Sequence, residues 1–130
     1  KGDIRKLIHY KDHDFAGFSE AYISEINYKC IKGWKLHKNK INNLIVIQGL
    51  VRIVAWNPNF PDIFESKIIG ISANKPKLFS RICIKKGTWF AFQGLDKPVS
   101  RILNISNVSH EDTITDNIEI DSVKYSWNKL

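Results

Sequence analysis

His37 closes the run Lys32-Gly33-Trp34-Lys35-Leu36-His37, in which a single imidazole follows two ammonium groups. An unperturbed imidazole titrates near ~6.5, which makes it the side chain best suited to take a proton at neutral pH. Proton removal beside a ketone also needs a positive group at the enolate oxygen, and Lys35 or Lys32 supplies one. On extended backbone Lys35 and His37, two residues apart, share a face. An ammonium placed there disfavours the imidazolium and keeps the ring neutral, ready to accept a proton. Asn42, entering the next apolar run, adds a hydrogen-bond donor. The inert alternative is a strand-end histidine flanked by solvated lysines, with Asn42 as a turn residue.

Flat apolar surface for a base or a sugar ring comes from Trp34, Trp89 and Phe90. Alternation sends Phe90 and Phe92 to one face and Trp89 to the other. One set is then core, and the other a pocket wall or a subunit contact. Phe18, Glu20 and Tyr22 share a strand face by the same rule.

The elements that must carry these groups are short and β-branched. Apolar runs fall at Ala21–Ile26, Leu44–Ile47, Leu50–Trp56, Lys67–Ile71, Leu78–Ile84, Thr88–Gln93 and Ser100–Ser106. Turn signals separate them: Lys32-Gly33, Gln48-Gly49, Asn57-Pro58-Asn59, Ala73-Asn74-Lys75-Pro76, Lys86-Gly87 and Asp96-Lys97-Pro98. Many short strands with regular turns predict an all-β sandwich or barrel. Leu44–Trp56 reads as a hairpin through Gln48-Gly49, since glycine tolerates the positive φ of a tight turn. Helix signal is thin: Lys1–Lys11 suits a short helix or an edge strand, and Ser109–Asn117 one helical turn in a loop. With 130 residues, a single domain over 1–130 is expected.

Composition narrows the function classes. At 43% hydrophobic and 25% charged the chain is too apolar for disorder. Its longest apolar run, Leu44 to Ile47, falls far short of the roughly 20 residues of a membrane helix. Two cysteines, Cys30 and Cys83, make neither a disulfide framework nor a cysteine zinc site. With no leader-like start, the expected location is the cytoplasm. The net charge of +7 keeps anionic partners in play. The excess is mostly scattered lysine, however, whereas nucleic-acid sites favour arginine forks and local clusters, so a nucleic-acid partner is not expected.

Three segments together resemble the cupin-fold sugar-nucleotide epimerases, the dTDP-4-dehydrorhamnose 3,5-epimerase family. Ala16-Gly17-Phe18-Ser19-Glu20-Ala21-Tyr22 is similar to that family's early strand, which helps hold a nucleotide. Ile31-Lys32-Gly33-Trp34-Lys35-Leu36-His37, followed by Asn42-Asn43-Leu44-Ile45-Val46-Ile47-Gln48-Gly49, is similar to its Arg-Gly-x-His motif and the strand-turn after it. Ile84-Lys85-Lys86-Gly87-Thr88-Trp89-Phe90-Ala91-Phe92-Gln93-Gly94-Leu95 is similar to its Pro-Pro-Gly-aromatic segment. The departures are specific. Ala16 and Lys32 stand where the family has arginines, Asn42 falls near its active-site lysine, and Val108 near its catalytic tyrosine. The segment carrying the aspartate that supports the catalytic histidine has no counterpart.

The resemblance implies a single cupin or jelly-roll β-barrel (a double-stranded β-helix), a homodimer, and epimerisation of a nucleotide-linked 4-keto-6-deoxyhexose in deoxysugar or surface-polysaccharide biosynthesis. His37 would be the base with Lys35 or Lys32 in support. Phe18, Glu20, Tyr22, Trp34, Asn42, Trp89 and Phe90 would meet the substrate. No cofactor is implied. Metal-binding cupins carry His-x-His and a further histidine after Pro-x-Gly; here the stretches give Lys35-Leu36-His37 and Phe90, so no metal site is expected. Without a tyrosine at the family's place, a one-base keto shift, as in the related 3,4-ketoisomerases, competes with inversion. A non-catalytic nucleotide-sugar binding module is the alternative from another class, and a nucleic-acid binder stacking bases on exposed aromatics is a weaker third.

Overall fold

The computed structural model describes residues 1–72 and 74–128. Ala73, within one expected turn, lies outside the described residues. Among the described residues nine strands form: β1 Glu20–Asn27, β2 Ile31–His37, β3 Asn42–Gln48, β4 Leu50–Trp56, β5 Phe64–Gly70, β6 Arg81–Ile84, β7 Trp89–Gly94, β8 Val99–Ser106 and β9 Thr115–Asn117. Single 3₁₀ turns form at Pro76–Leu78 and Ile120–Ser122. The strands make two antiparallel sheets, β1-β8-β3-β6 and β5-β4-β7-β2-β9. Leaving β9 aside, this is jelly-roll connectivity: every step passes from one sheet to the other except β4 to β5, which pair directly. The all-β expectation holds; the two sheets face one another, and among the described residues no ladder closes them into a barrel, an isolated Tyr28–Gly94 bridge aside.

Two cores explain why so many runs are apolar on both faces. Between the sheets pack Ile26, Leu44, Val46, Val51, Ile53, Ile69, Ile84, Phe90 and Ile102. On the outer face of the five-stranded sheet, Trp34, Val54 and Ala91 are covered by Val123, Ile118, Tyr125 and Trp127 from the C-terminal segment. Outside the four-stranded sheet, the Arg81 guanidinium bonds Asp14 at 2.7 Å, Asp12 at 3.0 Å and Asn43 at 2.8 Å, fastening the N-terminal arm to β3 and β6.

Three local expectations are corrected. Leu44–Trp56 is a corner, not a hairpin: β3 and β4 lie in opposite sheets. Gly49 does take a positive φ, 82°, but Leu50 then bonds the Ser100 hydroxyl and the Leu95 amide instead of β3. Both strands are buried on both faces, which a two-stranded exposed hairpin cannot arrange. Lys1–Lys11 forms neither helix nor strand; only a turn closes at its end, through His9 and Asp12. In Ser109–Asn117 the turn occupies the first half, capped by the Ser109 hydroxyl on the Asp112 amide, and the second half extends as β9 against β2.

Candidate active site

The inward faces of the sheets leave a cavity of about 410 Å³ at the β1, β2 and β9 side. Register determines what lines it. Lys35 pairs with Phe90 of β7 and Asn117 of β9, and His37 with Thr115, so these residues share the inner face of one sheet. Tyr22 of β1 pairs with Asn104 of β8, which also pairs with Leu44 of β3, and they face it from the other sheet. Asn42 joins them, and the segment before β9 adds His110 and Thr113. Larger crevices of about 490 and 620 Å³ run past β4 and β5 and carry no imidazole among the described residues, while one of about 530 Å³ beside the N-terminal arm has His13 in its lining, next to Asp14.

His37 is the most perturbed group here. Its Nδ1 lies 2.9 Å from the Thr115 hydroxyl, which can accept or donate according to tautomer, and its ring packs 5.4 Å from that of Phe90. Burial, first, and then the positive charges of Lys40 and Lys35, with His110 adding less, push its pKa down to about 4. The expected depression by Lys35 is present, but desolvation exceeds it and Lys40 ranks ahead. The ring is therefore neutral across the physiological range. No aspartate or glutamate is among the described lining residues, so the cavity is cationic.

Five of the residues singled out by sequence come together: Lys35, His37, Tyr22, Asn42 and Phe90. Asn42 is buried and accepts from the Ser106 hydroxyl. Glu20 stands at the margin, taking the His110 amide at 3.2 Å. Four go elsewhere. Lys32, exposed beyond the β-bulge that separates it from Lys35, donates to the Glu25 carbonyl. Trp34, neighbouring Lys35, faces the opposite way and is 0% exposed in the outer core, where Trp89 also packs. Phe18 precedes β1 and is 66% exposed. The alternation expected for Phe90, Phe92 and Trp89 holds: the first two face the cavity and Trp89 the outer core.

Sequence reading missed Lys40, Thr115, His110 and Asn104. Thr115 gave no signal, because β9, Thr115-Asp116-Asn117, is polar throughout and carries no alternation. Lys40 sends no signal, being one lysine in a basic stretch, yet it is 1% exposed and bonds the Tyr22 hydroxyl at 3.1 Å.

No family model matches this chain, and no curated protein matches its sequence. Solved structures match by shape. A dTDP sugar isomerase from Desulfovibrio desulfuricans G20 superposes with TM-score 0.79 and 17% identity, over 94% of this chain and 79% of that one. NovW, a 4-keto-6-deoxy sugar epimerase of the novobiocin gene cluster of Streptomyces spheroides, gives TM-score 0.70 and 11% identity, over 88% and 61%. QdtA, a sugar 3,4-ketoisomerase from Thermoanaerobacterium thermosaccharolyticum solved with TDP, gives 0.58 and 16%, over 75% and 66%. This chain has the jelly-roll fold that these sugar isomerases and epimerases share.

Proposed function

We propose that the protein is an isomerase of nucleotide-linked 4-keto-6-deoxyhexoses, specifically an epimerase in which His37 removes the proton beside the ketone. The observation that carries this is His37 itself: a neutral, half-buried imidazole lining an open cationic cavity between the sheets, with Thr115 on Nδ1. With the Nδ1 hydrogen donated to Thr115, Nε2 is the basic nitrogen. The C–H bond breaks, its proton goes to Nε2, and the pair left on carbon delocalises onto the carbonyl oxygen. Lys35, on the same strand face, stabilises that oxygen. Phe90 and Asn42 bound the sugar, and the cavity's positive charge suits a diphosphate. The wider setting in this reading is a cytoplasmic, homodimeric enzyme of deoxysugar or surface-polysaccharide biosynthesis. The outer edges of β1 and β5, unpaired within the described chain, support the dimer.

Incubation with a dTDP-linked 4-keto-6-deoxyhexose in D₂O tests the assignment. Wild-type protein incorporates deuterium beside the ketone, and His37→Asn loses incorporation by about 10²–10⁴-fold, the usual range for a general base. Equal incorporation in the variant removes His37 as the base. Binding by calorimetry with no exchange in wild type supports the non-catalytic module instead. A 3,4-ketoisomerase is the second reading, favoured because no tyrosine stands at the place where the resemblance puts the epimerases' proton donor; a product whose keto group has moved identifies it.

A further inference from the structure

Inversion at carbon requires a proton from the face opposite the base, and no tyrosine falls where the sequence resemblance would place one. Tyr22 and His37 line the same cavity from opposite sheets, Tyr22 on β1 and His37 on β2. Behind Tyr22 is Lys40, 1% exposed, with Nζ 3.1 Å from the phenol oxygen and 5.1 Å from the ring centroid. An ammonium only donates, so at that contact the phenol oxygen is the acceptor. The hydroxyl hydrogen remains to be placed, and among the described residues nothing takes it. Burying an ammonium is costly unless it is paired, and the hydrogen bond and ring contact with Tyr22 are the side-chain pairing Lys40 has among the described residues.

We propose that Tyr22 is the proton donor opposite His37 and that Lys40 is its positioning residue, an inference that rests on the epimerase reading above. After His37 Nε2 has taken the proton from one face, the carbanion's electron pair forms a new C–H bond with the Tyr22 hydroxyl hydrogen on the other face. The O–H pair stays on oxygen as a phenolate, and the Lys40 ammonium stabilises it. Solvent then returns a proton to Tyr22 and removes one from His37, so the enzyme ends as it began.

The test follows one dTDP-linked 4-keto-6-deoxyhexose in D₂O by NMR, separating exchange from inversion. Tyr22→Phe, which keeps the ring, is expected to lower the inversion rate by about 10²–10⁴-fold, while deuterium still enters recovered substrate with its configuration retained. A purely structural role for Tyr22 would depress both together. Lys40→Met follows Tyr22→Phe, and Lys40→Arg, which keeps a cationic donor, recovers inversion; unfolding curves show which variants remain folded. Inversion at the wild-type rate in Tyr22→Phe overturns the donor and leaves the base standing, as does loss of inversion in His110→Gln instead. Absence of both exchange and inversion in wild type overturns the base and the donor together. Exchange with a shifted keto group and no inversion overturns the donor alone.

Discussion

A histidine whose pKa lies near 4 is a weak base by the usual scale, and its weakness has an identifiable origin. Burial removes water from the imidazolium, and Lys40 and Lys35 repel it. Both effects act on the free protein, and kcat/KM reports free-enzyme ionisations. The acid limb of kcat/KM is therefore expected near pH 4, not near 6.5, with Lys35→Met moving it upward because one repelling charge is gone. A limb at 6.5 in wild type would mean that the ring is solvated. Stability carries the same sign. The unfolded chain takes up a proton near 6.5 and the folded chain only near 4, so stability falls as pH drops through that window. His37→Gln, with nothing to protonate, is expected to lose less stability there in urea titrations at stepped pH. The bound substrate's negative charge would offset the lysines, strengthening the base only once a ligand is present.

At the scale of the elements, Gly49 shows what the sequence could and could not disclose. Most strands were legible from β-branched runs and turn residues, because period and punctuation are local, but the Lys32-Gly33 turn signal falls inside β2 and β9 lies in a segment read as a loop. Which sheet each strand joins was not, because β3 and β4 are both buried on both faces and a doubly apolar strand carries no mark of its partner. The same blindness hid Trp34: the aromatic next to Lys35 faces a second core that only the folded C-terminal segment reveals. Lys35 and His37 were legible as one face because strand alternation sufficed, and Asn42 came only from the family resemblance; Lys40 was not legible, because its burial depends on a neighbouring sheet. The corner itself is tightly specified. Gly49 holds φ at 82°, and an added Cβ would run into the Ser100 side chain that bonds Leu50. Gly49→Ala is expected to lose at least the ~1–2 kcal/mol of a left-handed non-glycine residue. Denaturant unfolding measures this, and an unchanged midpoint would show that the corner relaxes freely.

Across the whole molecule, the five-stranded sheet separates the candidate site from its support. Its inner face bears Lys35, His37, Phe90 and Thr115, and its outer face bears Trp34, Val54 and Ala91 under the C-terminal segment. The net charge of +7, uninformative as a sum, becomes informative where Lys35 and Lys40 approach one imidazole. The segment's hold is both apolar and polar. Trp127 lies 5.9 Å from Trp34 and 4.7 Å from Tyr125, its carbonyl takes Arg52 at 3.0 Å, and Ile118 exchanges two backbone bonds with Trp34, each 3.2 Å. A large aromatic removed from a core costs about 3–5 kcal/mol, and half-buried Trp127 belongs at the lower end. Trp127→Ala is therefore expected to lower the unfolding midpoint strongly while leaving deuterium exchange at His37 intact below that midpoint, since the cavity opens on the other face. Loss of exchange in the folded variant would show that the outer core also sets the geometry of β2, through the strand that carries Trp34 and His37 on its opposite sides.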